Sequence, residues 1–132
     1  MHSAKATICF LQADYGTGEE ACLKESMRPL TIKTAAKHRE VSLLLRDNSI
    51  NYAVWIGLLY NPSLAKWQWY DLVNLSPTLR KWAPGHGYKS PSDRSYDCAS
   101  ISGADYLFYQ ANCVATSDVR PIVCENDPNL KE

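Results

Sequence analysis

The five cysteines limit what this chain can fold into more than any other feature of its sequence. No pair has the close C-x-x-C spacing that most zinc sites and redox motifs use, so a disulfide framework is the better interpretation. Such a framework indicates an oxidising compartment. The sequence alone leaves about 15 ways to choose two bridges and one leftover thiol. The cysteines are Cys9, Cys22, Cys98, Cys113 and Cys124.

Length and charge narrow the class of protein further. A chain of 132 residues favours one domain, and its 45% of apolar and 21% of charged residues are typical of a globular protein. Basic and acidic residues balance at 14 each, without the basic excess of proteins that bind nucleic acid. No apolar run approaches the roughly 20 residues that span a bilayer. We therefore predict no nucleic-acid partner and no membrane insertion.

The order of the predicted elements indicates an α+β fold, with helices ahead of an antiparallel sheet. A capping box at Thr17–Glu20 starts the first predicted helix, and Pro29 ends it. The segment Ser76–Asp97 is rich in Pro, Gly, Ser and Tyr, so we predict a long irregular loop that carries function. We predict helices at 18–27 and 35–46, and strands at 5–11, 52–56, 67–70, 97–101, 111–115 and 120–124.

A set of short motifs then makes the assignment specific. In chain order they are Cys22 followed by Leu30-Thr31-Ile32, Trp55-Ile56-Gly57-Leu58, Trp67-Gln68-Trp69-Tyr70-Asp71, Trp82, Asp97-Cys98, Cys113 and Pro121-Ile122-Val123-Cys124-Glu125. This ordered set covers about residues 7–126 and resembles the C-type lectin-like domain superfamily. We expect a domain at residues 5–126, an N-terminal extension at 1–4, which we interpret as an added start on an excised domain, and a C-terminal tail at 127–132.

The resemblance implies the fold of that family, with two helices, antiparallel sheets and a long loop. It also implies the bridges Cys22–Cys124 and Cys98–Cys113. In the chain-entropy model a loop of about 100 residues contributes up to roughly 4.7 kcal/mol and one of about 15 residues roughly 3 kcal/mol. The family further implies an extracellular location, either secreted or in the ectodomain of a membrane protein.

Many members of the family bind sugar through a calcium ion, which needs several oxygen ligands. In those members the long loop supplies Glu-Pro-Asn or Gln-Pro-Asp, and the strand before the fourth cysteine supplies Trp-Asn-Asp. Here the corresponding stretches are His86-Gly87-Tyr88 and Phe108-Tyr109-Gln110, in which Gln110 offers one oxygen. We therefore expect this member to be divergent, without the primary calcium and sugar site and without a cofactor. Two alternatives stay open, a rebuilt calcium site from Asp93, Asp97 and Gln110 and a structural ion near Glu40 and Glu125.

Aromatic and basic residues of the long-loop region, residues 76–110, form the candidate ligand-binding set together with Gln110. Tyr and Phe give a large contact area and are typical of protein interfaces, and the basic residues suit an acidic or sulfated partner. We expect His38 to be a solvated helix residue. No histidine is paired with a nucleophile, so we predict no enzyme. The candidate ligand-binding residues are His86, Tyr88, Lys89, Arg94, Tyr96, Tyr106, Phe108, Tyr109 and Gln110.

Two further residues have a predicted chemistry of their own. Cys9 is the leftover cysteine, and three interpretations remain open: a bond to a second chain, a bond to sequence outside this chain, or a buried free thiol. Asn74-Leu75-Ser76 is an N-glycosylation sequon, although Pro77 directly after it reduces its use.

Three hypotheses for function follow from these features. The first is a calcium-independent binding module that recognises a protein or a polyanion through the long-loop region. The second is a calcium-dependent carbohydrate-binding lectin with a nonstandard site. The third is a structural or assembly domain linked through Cys9.

Overall fold

The computed structural model describes residues 6–79, 81–87, 97–113 and 119–126. Two helices and seven strands lie within these residues. In chain order they are β1 (Ala6–Ala13), α1 (Tyr15–Lys24), β2 (Met27–Pro29), α2 (Ala35–Asp47), β3 (Ala53–Asn61), β4 (Lys66–Trp69), β5 (Cys98–Ser102), β6 (Phe108–Ala111) and β7 (Arg120–Asn126).

Capping side chains set the start of both helices. The α1 helix begins three residues earlier than predicted, because Asp14 and not Thr17 is the N-cap: its carboxylate accepts the Thr17 N–H at 2.9 Å. Either residue type can fill that position. The α2 helix starts where predicted, and the Thr34 hydroxyl accepts the Lys37 N–H at 3.0 Å. Neither helix, nor any other helix in the described ranges, is long and apolar enough to cross a membrane.

The strands form one seven-stranded sheet in the order β1-β7-β3-β5-β6, with β2 paired to β7 and β4 paired to β3. All pairings are antiparallel except the one between β3 and β7, which run parallel at Trp55 and Ile122. The α+β fold class is confirmed, with a sheet that is mixed. Strand β1 lies at one edge of this sheet and β6 at the other.

Two apolar clusters fill the interior, and the disulfides lie in the smaller one. The larger cluster joins Leu45 of α2 to Trp69 and Phe108 of the sheet. The smaller surrounds Trp55, which is fully buried. Both predicted disulfides are confirmed: Cys22–Cys124 ties α1 to β7, and Cys98–Cys113 ties the start of β5 to the chain beyond β6. The second bridge fixes the start of β5, where the long loop ends.

Candidate functional site

Two tryptophans form the base of the candidate site. The rings of Trp67 and Trp82 lie with centroids 4.8 Å apart, and the indole N–H of Trp67 donates to the Gly87 carbonyl at 3.3 Å. Gly87 has a φ of 91°, and a Cβ placed there would lie 2.7 Å from a ring carbon of Trp82. Only glycine accommodates both the backbone angle and the close approach. The loop backbone at Gly87 therefore packs directly against the Trp82 ring.

A reciprocal pair of hydrogen bonds joins this loop to strand β6. The backbone N–H of Gln110 donates to His86 Nδ1 at 2.9 Å, and the backbone N–H of Gly87 donates to the side-chain oxygen of Gln110 at 2.7 Å. Since a backbone amide can only donate, Nδ1 must be the unprotonated nitrogen of a neutral imidazole, and Nε2 carries the hydrogen. The sequence predicted His86 and Gln110 as site residues, and the structure brings them together.

Tyr109 extends the same surface. Its ring packs edge-on against His86, with centroids 5.0 Å apart. Its hydroxyl donates to the carboxylate of Asp105, and this hydrogen bond raises the pKa of Tyr109 above its ordinary value. Asp105 also accepts the Leu107 N–H at 3.0 Å, which closes a local turn. We call the surface formed by His86, Asp105, Tyr109 and Gln110 the loop face.

Helix α2 anchors the turn from the other side. His38 is half-buried, its Nε2 lies 2.8 Å from the Tyr106 carbonyl, and its ring packs against Phe108. The prediction of a solvated His38 was therefore wrong, because the turn before β6 folds back onto α2. Tyr106 takes a φ of 59°, which bulky residues adopt at a cost that the surrounding contacts must offset. The carbonyl held by His38 is one of those contacts.

The predicted ligand-binding residues separate into three groups. His86, Tyr109 and Gln110 belong to the loop face, and Tyr106 lies beside it, half-buried against the larger core cluster. Phe108 was wrongly placed on the binding surface: it is 0% exposed and packs edge-on against Trp69 and Trp82. It faces inward as a member of the larger core cluster. Tyr88, Lys89, Arg94 and Tyr96 lie outside the described residues.

Asp105 is the residue of the loop face that the sequence interpretation missed. It lies four residues before Tyr109, in the turn Gly103–Asp105 that precedes β6. A turn aspartate is most often a local backbone acceptor, and Asp105 does accept a backbone N–H with one oxygen. The second role, holding the Tyr109 hydroxyl, depends on how the turn meets the strand.

The described donors do not fit a calcium ion at the loop face. The Gln110 oxygen already accepts the Gly87 N–H, and the described residues contain no group of three or more His, Cys, Asp or Glu arranged to hold a metal. Calcium requires six to eight oxygen ligands. Of the rebuilt site considered from the sequence, Asp97 is half-buried directly before β5, and Asp93 lies outside the described residues.

The second candidate ion position holds a lysine. Glu125 is buried; one carboxylate oxygen lies 2.6 Å from Lys37 Nζ, and the other accepts the N–H and hydroxyl of Thr31 at 2.8 and 3.1 Å. The Lys37 ammonium thus supplies the positive charge that this buried carboxylate needs. Glu40 is exposed. The carboxylate of Glu125 is engaged by protein groups on both oxygens.

Cys9 and Asn74 lie away from the loop face. Cys9 has a free thiol, is half-buried on β1 and packs against the cluster around Trp55. Asn74 is exposed, and its side-chain oxygen accepts from the amide of Gln68 at 2.8 Å. The sequon asparagine therefore lies on the surface of the described part of the chain.

Comparison with known proteins agrees with this architecture. The sequence model of the Lectin C-type domain matches residues 12–126, so the chain belongs to the C-type lectin domain family. Similar solved structures include the carbohydrate-recognition domain of a mouse scavenger receptor C-type lectin, with 16% identity, a TM-score of 0.77, and 96% of this chain and 92% of that one covered. Human lithostathine has 18% identity and a TM-score of 0.77, with 96% and 94% covered.

A third structure, SPL-1 in complex with GlcNAc, has 14% identity and a TM-score of 0.78, with 98% of this chain and 91% of that one covered. At these identities the likeness shows the shared fold. No curated protein matches the chain by sequence. Domains of this family are generally non-catalytic binding modules for carbohydrates or proteins and are typically extracellular.

Proposed function

We propose that this chain is an extracellular recognition module that binds a protein or polyanionic partner through the loop face, without calcium. The observation that carries the proposal is the double hydrogen bond between His86-Gly87 and Gln110. It fixes the loop through protein groups in the region where sugar-binding relatives are expected to use a metal. A site organised in this way needs no ion to hold its shape.

The chemistry of the loop face suits a macromolecular partner. Tyr109 and His86 offer aromatic edges, Asp105 offers a carboxylate, and the His86 Nε2–H offers a donor. Aromatic side chains held by neighbouring contacts lose little entropy on binding and are enriched in protein interfaces. The polyanionic alternative depends on Lys89 and Arg94, which the sequence places in the same long-loop region.

Carbohydrate binding remains the second candidate function. Two structural neighbours were solved with a sugar. SPL-1 is in complex with GlcNAc. The carbohydrate-recognition domain of cow CD23, which has 16% identity and a TM-score of 0.75, was solved in the presence of a GlcNAc2Man3 oligosaccharide. In this chain a calcium-dependent version would need the Gln110 oxygen to leave the Gly87 N–H. A calcium-independent version would need only the aromatic and polar groups already present.

Melting curves in calcium and in EDTA separate the calcium-independent proposal from a calcium-dependent lectin. A ligand that binds only the folded state must raise its melting temperature. We expect identical melting temperatures in both buffers. A rise in calcium that scales with its concentration would contradict the calcium-independent proposal and favour the second candidate.

The binding surface itself is tested with heparin, a glycan array and a library of extracellular proteins, each probed in calcium and in EDTA. The variant Tyr109→Ala removes the central aromatic of the loop face. The matched control is Tyr52→Ala, which truncates an exposed tyrosine directly before the first residue of β3, outside the loop face. We expect Tyr109→Ala alone to weaken the captured interaction by at least about tenfold. Equal binding by both variants would place the site elsewhere.

A further inference from the structure

The segment that carries Asn74 is tied to strand β4. The N–H of Trp69 donates to the carbonyl of Val73 at 2.9 Å, and Asn74 lies opposite Gln68 in an antiparallel bridge. Side chains directly opposite each other in such a bridge are close neighbours. The sheet therefore sets the position of the Asn74 side chain, although this residue is exposed to solvent.

A row of side-chain amides determines which end of the Asn74 amide is available. Asn61 Nδ2 donates to Gln68 Oε1 at 3.1 Å, and Gln68 Nε2 donates to Asn74 Oδ1 at 2.8 Å. Gln68 is buried, so breaking these hydrogen bonds would leave buried polar groups without partners. Because Asn74 Oδ1 is turned to Gln68, Nδ2 is the end of the amide that is left at the surface.

Asn74 is also the first residue of the one N-glycosylation sequon in the sequence, Asn74–Ser76. The similar stretch Asn61–Ser63 does not qualify, because a proline occupies its middle position. A sugar attached to Asn74 Nδ2 leaves Oδ1 free of any new bond, so the hydrogen bond from Gln68 survives. The fold can therefore carry a glycan at this residue without losing that contact.

Two exposed apolar residues lie directly before Asn74. Leu72 is 72% exposed, more than any other large apolar residue in the described part of the chain, and Val73 is 45% exposed. The turn holds Leu72 at a φ of 70°, with its N–H donating to the Trp69 carbonyl at 2.8 Å. Exposed apolar surface of this kind is an aggregation liability unless something covers it. A glycan is bulky and solubilising, and at Asn74 it would lie beside this turn.

We propose that Asn74 carries an N-linked glycan that covers the exposed turn at Leu72 and Val73. The oligosaccharide comes from a lipid-linked diphosphate donor. C1 of its first sugar forms a bond to Asn74 Nδ2 while its bond to the diphosphate oxygen breaks, the diphosphate leaves with the electron pair, and the amide loses one proton. The extracellular location typical of the family takes such chains through the compartment where sequons are modified.

The attachment point lies on the other side of β4 from the loop face. Trp67 and Gln68 are neighbours on β4, so their side chains point to opposite faces of the sheet. The Trp67 indole N–H reaches the Gly87 carbonyl of the loop, whereas Gln68 holds Asn74. The glycan therefore leaves the loop face open, and the modification stands or falls separately from recognition through that face.

Secretion of the chain from mammalian cells behind a signal peptide tests the site. We expect part of the native chain to run at a higher mass, and peptide N-glycosidase to remove the increment and convert Asn74 to aspartate in peptide mapping. Ser76→Ala keeps Asn74 but destroys the sequon, so it should abolish the high-mass form. Ser76→Thr is the matched control that keeps the sequon and the glycan. Asn61 should stay unmodified in every protein.

Pro77 limits the occupancy of the site, so Pro77→Ala should raise the glycosylated fraction. A native chain that carries no glycan would overturn the proposal, whether or not Pro77→Ala gains one. A high-mass form that persists in Ser76→Ala would place the modification elsewhere. If Ser76→Ala is not secreted, Asn74→Gln serves as the second variant.

The covering role is tested by light scattering before and after enzymatic removal of the glycan. We expect removal to increase aggregation of the native chain and to have little effect on Leu72→Asn, a side chain that tolerates a positive φ. The control Leu64→Asn replaces another exposed leucine, 55% exposed, in the β3–β4 turn, and should respond like the native chain. The enzyme leaves the same aspartate in all three proteins, so the comparison isolates Leu72. Equal aggregation of the native chain before and after removal would overturn the covering role.

Discussion

His86 and Gln110 hold each other across the loop face, because the Gln110 N–H donates to His86 Nδ1 while the Gln110 side chain accepts from the residue next to His86. These residues are 24 positions apart in sequence. Their contact joins an irregular loop to the regular strand β6. The orientation of the loop-face side chains depends on it.

Replacing His86 should measure what this contact contributes. His86→Ala leaves the half-buried Gln110 N–H without its acceptor, which costs about 1–3 kcal/mol. His86→Asn places an amide oxygen close to the position of Nδ1 and should recover a large part of the loss. Urea unfolding at neutral pH compares the three proteins. Equal losses for Ala and Asn would show that ring packing against Tyr109, and not the hydrogen bond, is what His86 contributes.

Gly87 and Gly85 form a matched pair for testing the close contact between the loop backbone and the Trp82 ring. Both have a positive φ, but a Cβ at Gly87 would meet the Trp82 ring at 2.7 Å, whereas a Cβ at Gly85 meets nothing within 4 Å. Gly85→Ala should cost about 1–2 kcal/mol from backbone strain alone. Gly87→Ala should cost a further 1–3 kcal/mol or so from the clash. Equal costs in urea unfolding would contradict the described approach of the loop to Trp82.

Lys37→Met should show whether the lysine replaces a cation beside Glu125. It leaves a buried carboxylate without its charge partner, which costs about 3 kcal/mol. The control is Lys33→Met, which breaks the more exposed ion pair with Asp71 and should cost less than about 1 kcal/mol.

The response to calcium gives a second measurement on the same variant. Removing the ammonium leaves the Glu125 carboxylate free to attract a divalent cation. We expect calcium to raise the melting temperature of Lys37→Met and not that of the native chain. A native chain that responds to calcium while Lys37→Met does not would reverse this interpretation.

The Asp14 N-cap predicts an acid-sensitive contribution to stability. The Thr17 N–H that its carboxylate accepts lowers the pKa of Asp14 in the folded chain. A lowered folded-state pKa stabilises the fold above the unfolded value, near 3.9, and this stabilisation is lost as the pH falls through the folded value. The advantage of the native chain over Asp14→Asn, which keeps a capping oxygen, should therefore shrink below about pH 4. Unfolding curves from pH 7 to pH 2 that stay parallel would contradict this.

Local sequence signals were sufficient for most of the secondary structure. The position of α2 followed from its apolar spacing, and the aromatic strands around Trp55 and Trp69 followed from β propensity. The start of α1 was misplaced because Asp14 and Thr17 are both good caps three residues apart. In the folded chain Asp14 is the cap, and Tyr15, the first helical residue, packs against Trp55 with ring centroids 5.9 Å apart.

The sequence by itself determined the family and the two disulfides that its motifs implied, because those features depend on residue type and spacing. The tertiary structure decided which aromatic residues are available to a partner. Phe108 turned inward, His38 became an anchor for Tyr106, and Lys37 met Glu125 from 88 positions away. Such contacts depend on how distant segments pack, and the free energy of each depends on burial that no single segment encodes.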